Sequence, residues 1–168
     1  MRLFQLGNVI EDQVVSDLRA CGFSVSQQQR EVEFTQDNVK LRGHIDGVIE
    51  GLIEAPSRPH LLEIKSANKK KYDELIKLGS YRKWNEIYFW QTQFYMLDLG
   101  LKRTAVFVYC KDDSRLHMER YPLDKEATIE RLQFVFESIR AKEAPERRCP
   151  RKDYFEAKFC PYYQECFK

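Results

Sequence analysis

The longest apolar run in the sequence, Thr104–Cys110, constrains the fold more than any other segment. Most of its residues are β-branched or aromatic, and a short run of this kind predicts a strand buried in the middle of a sheet. It is far shorter than the roughly 18 residues of a membrane span. A second apolar strand is predicted at Leu61–Ser66, and two predicted helices, Lys69–Leu78 and Trp84–Leu99, separate the two strands. This order predicts a mixed α/β domain built on a central sheet.

The remaining segments alternate between helical and strand periodicity. Further helices are predicted at Val9–Leu18 and Lys125–Arg140, and further strands at Arg30–Thr35, Val39–Ile49 and Leu116–Tyr121. The predicted buried faces of the two longest helices consist of Ile87, Trp90, Phe94 and Leu97, and of Ile129, Leu132, Val135, Phe136 and Ile139. We therefore expect one domain over residues 1–145, with a cysteine-containing tail, residues 146–168, packed on it.

Composition excludes several classes of protein. The 11 Phe, nine Tyr and two Trp residues supply too much apolar surface for a disordered chain. Acidic residues at Glu11 and Asp12 argue against a secretory signal, so the five cysteines indicate a reducing compartment, which we expect to be the cytoplasm of a bacterial or phage-infected cell. The net charge of +2 is too small to indicate nucleic-acid binding by itself.

Two segments place charged side chains among apolar neighbours. Glu63 and Lys65 lie two apart on the strand Leu61–Ser66, so they share one face of it, and Asp46 lies in the preceding strand. Buried charges are costly unless they are paired or bind a ligand. Two carboxylates from adjacent strands provide the oxygen ligands that Mg²⁺ prefers, and a nearby lysine stabilises charge during phosphodiester hydrolysis. The alternative is a buried Glu63–Lys65 ion pair beside a turn aspartate.

Asp46 followed by Glu63-x-Lys65 resembles the core motif of the PD-(D/E)XK nucleases. Ile45 stands where that motif has proline, a departure that is common in the RecB-like exonuclease branch. Two further motifs of that branch have counterparts in this sequence, Gly7-x-x-x-Glu11 in the first helix and Gln91-x-x-x-Tyr95 in the helix after the catalytic strands. An amphipathic helix also places residues four apart on one face, so the last match is the least specific.

The resemblance implies a restriction-endonuclease-like core, a central mixed β-sheet flanked by helices, and a Mg²⁺- or Mn²⁺-dependent DNA exonuclease. It assigns metal binding and catalysis to Asp46, Glu63 and Glu11, with the backbone carbonyl of Ile64 as a further ligand. Lys65 is expected to position water or stabilise charge. Substrate positioning is assigned to Gln91 and Tyr95. His44, two residues before Asp46 on the predicted strand, either contacts phosphate or is an ordinary polar strand residue.

A lysine-rich segment follows the strand that carries Glu63 and Lys65. Lys69, Lys70 and Lys71 begin the predicted helix Lys69–Leu78, and more basic and aromatic residues follow, namely Tyr72, Lys77, Tyr81, Arg82, Lys83 and Trp84. Lysines neutralise phosphates and aromatic rings stack on unpaired bases, so the segment is a candidate DNA-binding surface. The alternative is a solvated helix face.

The tail holds Cys149, Cys160 and Cys166 with the spacing C-x₁₀-C-x₅-C. It resembles the end of the iron–sulfur staple of AddB-type and CRISPR-associated RecB-like nucleases. Ala157 stands where that pattern has another cysteine, and no cysteine precedes Val9, where the fourth is expected. A [4Fe–4S] cluster, a Zn²⁺ site and free thiols therefore all stay open.

Two other classes of function are compatible with the same residues. The same nuclease core serves restriction endonucleases and junction resolvases, and a third possibility is a DNA-binding module without catalysis. The expected partners are single-stranded DNA or duplex ends and a recombination or single-strand-binding protein, with no membrane. The expected role is recombination, repair or phage DNA processing.

Overall fold

The computed structural model describes residues 2–141, 146–147, 149–154 and 157–167 of the chain. In chain order the described elements are α1 (Arg2–Ala20), β1 (Ser24–Ser26), β2 (Glu31–Gln36), β3 (Val39–His44), β4 (Gly47–Glu50), β5 (His60–Ala67), α2 (Lys69–Leu78), α3 (Tyr81–Trp84), α4 (Glu86–Leu99), β6 (Arg103–Cys110), β7 (Leu116–Pro122), α5 (Lys125–Arg140), a 3₁₀ turn (Ala157–Phe159) and α6 (Tyr163–Cys166).

Five strands form a mixed sheet in the order β1-β4-β5-β6-β7. Only β5 and β6 are parallel, and helices α2 to α4 make the crossover between them; the other neighbouring pairs are antiparallel. Strands β2 and β3 form a separate antiparallel hairpin. This architecture confirms the predicted mixed α/β fold with Thr104–Cys110 in a buried strand.

The two faces of the sheet bury different helices. On one face, Leu62 and Ile64 of β5 pack with Phe107 of β6 against α1. On the other face, Ala67 and Val106 pack against α2, α3 and α4. Because side chains alternate along a strand, Glu63 and Lys65 of β5 project toward the layer of α2 to α4.

The prediction of a single strand over Val39–Ile49 is wrong, because this segment is divided between two sheets. Residues 39–44 pair with β2 in the hairpin, whereas residues 47–50 pair with β1 and β5 in the main sheet. The change of partner occurs at Ile45 and Asp46. The short edge strand β1, which ends at Ser26, was not indicated by the sequence patterns.

The predicted helix Trp84–Leu99 also needs correction. It begins at Glu86, because the Asn85 side chain accepts hydrogen bonds from the N–H groups of Ile87 and Tyr88, and a short helix α3 precedes it. Its buried residues are Phe89, Thr92, Gln93, Tyr95 and Met96, whereas Ile87 is exposed. In α5 the bounds are as predicted and Phe136 is buried as predicted, but Ile129 and Ile139 are exposed and Thr128 is buried.

The chain divides into two compact units, residues 1–133 and 134–168. The predicted boundary at residue 145 lies outside the described residues. In the second unit Arg147 donates a hydrogen bond to the Cys166 carbonyl (2.9 Å), its guanidinium lies over the Phe167 ring, and Ala157 is buried. Among the described residues, no helix combines the length and the apolar character that crossing a membrane requires.

Candidate active site

Asp46 lies where the chain leaves the hairpin and enters the main sheet. The last pair between β4 and β5 joins Gly47 to Leu62, so the N–H of Ile64 extends beyond the paired part of β4. The Asp46 carboxylate accepts a hydrogen bond from this N–H, with an Oδ2 to N distance of 2.6 Å. The bond holds the carboxylate at the edge of β5, beside the catalytic candidate Glu63.

Glu63 and Lys65 form an ion pair on β5, between Glu63 Oε1 and Lys65 Nζ. The Glu63 side chain is only 1% exposed and that of Lys65 22% exposed. The Lys65 ammonium also lies 5.1 Å from the centre of the Tyr88 ring on α4, a cation–π distance. Glu63 and Lys65 are therefore paired with each other, and the charge of Asp46 acts on both of them.

The pKa values at the site are shifted by burial and by the charges that lie close together there. Burial and the neighbouring Asp46 carboxylate raise the pKa of Glu63 to about 7, against the lowering effect of Lys65. Burial also raises the pKa of Asp46. Burial by itself lowers the pKa of Lys65, but the carboxylates of Glu63 and Asp46 outweigh it and leave that pKa raised. Lys65 is thus held as an ammonium ion, suited to stabilising negative charge.

Glu11 approaches this group from α1. Gln29, in the turn between β1 and β2, donates a hydrogen bond from Nε2 to Glu11 Oε1 (2.8 Å). Burial and the negative charge of Asp46 raise the pKa of Glu11. Glu11, Asp46 and Glu63 therefore act on one another electrostatically, and the assignment of Glu11 to a common metal site stays a prediction.

Gln91 and Tyr95 meet on α4, where Gln91 Nε2 donates a hydrogen bond to Tyr95 Oη (2.8 Å). A Cβ atom added to Gly43 of β3 would lie 2.3 Å from that Oη, so only glycine leaves room for the Tyr95 hydroxyl. The negative charge of Glu63 adds to burial in raising the pKa of Tyr95. The predicted pair is therefore assembled beside the carboxylates, between α4 and the hairpin.

His44 does not share a strand face with Asp46, because β3 ends at His44 and β4 begins after Asp46. Its side chain is 54% exposed, and its Nε2 lies 3.9 Å from Glu31 Oε2 across the hairpin. The same-face reason for placing His44 at the site is therefore wrong. A phosphate contact by His44 stays a prediction.

The lysine-rich segment forms α2, with the predicted bounds. Lys69 Nζ lies 3.3 Å from Asp113 and 3.7 Å from Asp73, and Lys71 Nζ lies 2.9 Å from Glu74. Acidic neighbours thus compensate two of the three lysines, and one of them, Asp113, is distant in sequence. Lys70 is exposed.

The donor atoms at the site fit a hard divalent cation. Asp46 and Glu63 supply carboxylate oxygens, and the Ile64 carbonyl faces the side of β5 on which Asp46 lies, because N–H and C=O of one residue in a strand point the same way. A cation would also offset the burial that raises the pKa values of Asp46 and Glu63, and the negative charge of Asp46 that adds to this effect at Glu63. Within the part of the chain that the structure describes, however, no three His, Cys, Asp or Glu side chains are already arranged around a common metal position.

The tail cysteines form no such group either. Cys149, Cys160 and Cys166 are free thiols, Cys166 being exposed. Among the residues described, no set of three metal-binding side chains includes them. The iron–sulfur and zinc hypotheses therefore gain no support from the structure.

Four residues near the site were not among the predicted site residues. Tyr88 lies one helical turn before Gln91, and that spacing was the signal available in the sequence. Gly43 and Gln29 act through contacts between distant segments, for which sequence spacing contains no signal. Tyr81 was predicted only as an aromatic residue of the lysine-rich segment, yet it is fully buried.

The five-stranded mixed sheet flanked by helices is a restriction-endonuclease-like nuclease fold. No family model and no curated protein matches the sequence. Among solved structures, the chain is similar to LHK-Exo in complex with dAMP, with a TM-score of 0.58 and 21% identity over 77% of this chain and 62% of that one.

Two further structures have the same fold. The alkaline exonuclease LHK-Exo from Laribacter hongkongensis, in a second structure, has a TM-score of 0.54 and 18% identity over 81% of this chain and 71% of that one. The protein SSO0001 has a TM-score of 0.56 and 17% identity over 96% of this chain and 68% of that one. At these identities the likeness establishes the fold. This chain spans 62% of the length of LHK-Exo in the dAMP complex.

Proposed function

We propose that this protein is a divalent-metal-dependent deoxyribonuclease that removes nucleotides from DNA ends. The observation that carries the proposal is the group formed by the buried Glu63 and the partly buried Lys65 of β5 with the partly buried Asp46, which directly precedes β4. Its position in a nuclease fold shared with an alkaline exonuclease adds support. The dAMP bound to LHK-Exo is a deoxynucleoside monophosphate, the kind of product that exonucleolytic cleavage releases.

In this proposal Asp46, Glu63 and the Ile64 carbonyl hold Mg²⁺ or Mn²⁺, with Glu11 completing the set of oxygen ligands. The metal would lower the pKa of a bound water and neutralise charge on the phosphate. Lys65, as an ammonium ion, stabilises the negative charge that develops during hydrolysis. Gln91 and Tyr95, already joined by a hydrogen bond, orient the substrate.

The lysines of α2 are proposed to guide the DNA strand, because α2 directly follows the strand that carries Glu63 and Lys65. Lys70 is the first candidate, since Lys69 and Lys71 have acidic partners. A role in recombination, repair or phage DNA processing rests on the family resemblance alone. The tail cysteines have no part in the proposed reaction.

The test combines substrate form with metal. Purified protein is incubated with end-labelled single-stranded, linear duplex and closed-circular DNA, in Mg²⁺, Mn²⁺ or EDTA, and the products are sized. Mononucleotides from linear DNA with intact circles are expected. Cut circles would indicate an endonuclease instead, and binding without cleavage in either metal would indicate a DNA-binding module.

Substitutions assign the activity to the site. Glu63→Gln and Asp46→Asn keep side-chain shape and are each expected to lower cleavage by more than about 100-fold, because even changes around metal ligands cost 10–100-fold. Glu50→Gln, at the exposed far end of β4, is the matched control and should cleave normally. Near-normal cleavage by Glu63→Gln would contradict the site assignment.

A further inference from the structure

Tyr81 is the first residue of α3 and is fully buried. Its N–H donates to Glu119 Oε2 on β7 (2.6 Å). Its ring packs beside Trp84, at 5.7 Å between ring centres, and stacks on Tyr121 at 6.1 Å. The backbone and the ring of Tyr81 are thus both held, so its hydroxyl has a defined position on the side of the sheet that α2 to α4 cover.

The Tyr81 hydroxyl has no hydrogen-bond partner among the described residues. Buried tyrosine hydroxyls usually have a hydrogen-bond partner, because a hydroxyl that is removed from water and gains no hydrogen bond costs free energy. Glu63 Oε1, although ion-paired with Lys65, also has no hydrogen bond of regular geometry within the described part of the chain. A buried donor and a buried acceptor therefore both have unused hydrogen-bonding capacity.

The two groups lie in the same buried layer, because Tyr81 packs in one cluster with Val106 of β6, and Val106 is the register partner of Glu63 on β5. Burial raises the pKa of Tyr81, and the charge that adds most to this effect is the Glu63 carboxylate, ahead of Tyr121, Tyr88 and Asp46. Tyr121 stacks on Tyr81 but uses its own hydroxyl elsewhere, in a 2.6 Å hydrogen bond with Thr92 Oγ1. Of these two tyrosines, only the fully buried Tyr81 has a hydroxyl without a hydrogen-bond partner among the described residues.

We propose that Tyr81 is a positioning residue whose hydroxyl donates a hydrogen bond to the Glu63 carboxylate when a divalent cation occupies the site. A bound cation would supply the counter-charge that Lys65 supplies in this structure, and a hydrogen bond from the Tyr81 hydroxyl would then hold the Glu63 carboxylate in place. This inference rests on the proposed function, since it assigns metal binding to Glu63.

The experiment compares Tyr81→Phe with Tyr121→Phe, two variants that each lose one tyrosine hydroxyl from the same aromatic cluster. Mn²⁺ affinity is measured by titration calorimetry without DNA, and the melting temperature is measured in EDTA. Tyr81→Phe is expected to weaken Mn²⁺ binding by about 10-fold or more, the range found for groups that orient metal ligands. Its metal-free melting temperature should rise, because a hydroxyl without a partner is removed.

Tyr121→Phe should do the reverse. It loses the hydrogen bond to Thr92, so its melting temperature should fall while Mn²⁺ binding stays as in the unmodified protein. Unchanged Mn²⁺ affinity in a folded Tyr81→Phe variant would overturn the inference while leaving the proposed function intact. If the unmodified protein binds no Mn²⁺, the proposed function fails and this inference fails with it.

Discussion

At the scale of single residues, Gly43 shows how a position without chemistry of its own supports the site. A Cβ atom there would lie 2.3 Å from Tyr95 Oη and 2.9 Å from two ring carbons. Gly43→Ala should therefore displace Tyr95, break its bond to Gln91 and lower cleavage by about 100-fold, the cost of a misplacement of about 1 Å. The overpacked contact should also cost about 1–3 kcal/mol of unfolding free energy.

Cleavage rates and melting temperatures of Gly43→Ala are compared with those of Thr35→Ala, an exposed position on the same hairpin. The control should cleave normally and lose no more than about 0.5 kcal/mol. Normal cleavage by Gly43→Ala would mean that Tyr95 does not need its present position.

Glu63 predicts an unusual pH dependence of stability. Its pKa is about 7 in the folded protein, against 4.5 for an ordinary glutamate. Between these values the folded state keeps a proton that the unfolded chain has lost, so the free energy of unfolding falls as the pH rises. The raised pKa values of Asp46 and Glu11 act in the same direction.

We expect the melting temperature in EDTA to be higher near pH 5.5 than near pH 7.5. Glu63→Gln does not titrate, so its melting temperature should depend less on pH over this interval. An equally steep dependence in Glu63→Gln would assign the effect to other groups.

At the scale of elements, α2 is a helix whose basic first turn is partly neutralised by acidic neighbours. If all three lysines contact phosphates, replacing Lys69, Lys70 and Lys71 with Ala should reduce the slope of log affinity against log salt by about 2, at about 0.7 per contact with single-stranded DNA. Lys70→Ala alone should reduce it by about 0.7.

Binding is measured at several salt concentrations in EDTA, which prevents cleavage. Lys102→Ala is the control, since Lys102 precedes β6 and so lies at the opposite end of the parallel strands from α2. A triple variant no weaker than Lys70→Ala would show that Lys69 and Lys71 stay with their acidic partners. An unchanged slope would mean that these lysines form a solvated helix face and do not contact DNA phosphates.

At the scale of the whole molecule, the question for the second unit is whether a metal bound by its cysteines stabilises the tail. Its cysteines are free thiols, and the residues described there contain no metal-binding group of three. We expect protein purified without oxygen or chelators to contain neither stoichiometric iron nor zinc. The free energy of unfolding of Cys160→Ser should differ from that of the unmodified protein by no more than about 0.5 kcal/mol. One zinc or a brown iron chromophore per chain would restore the staple hypothesis.

Local signals in the sequence determined the elements with their own caps and the charged positions of the site. Helix α2 has its predicted bounds because Asn68 caps its first turn and Gly79 ends it in a left-handed conformation, both of which are local interactions. Glu63 and Lys65 were recognisable because charges in an apolar strand are costly at any position in a fold.

Tertiary structure decided which partners each segment contacts. Val39–Ile49 alternates continuously, and its division arises only because residues 39–44 pair with β2 while β4 pairs with β1 and β5. Helix α4 carries large apolar residues around its circumference, so packing on the sheet and hairpin selected its buried face. For the same reason no local signal indicated Gly43 or Tyr81: the roles proposed for them depend on atoms distant in sequence, brought near by burial of the surrounding core.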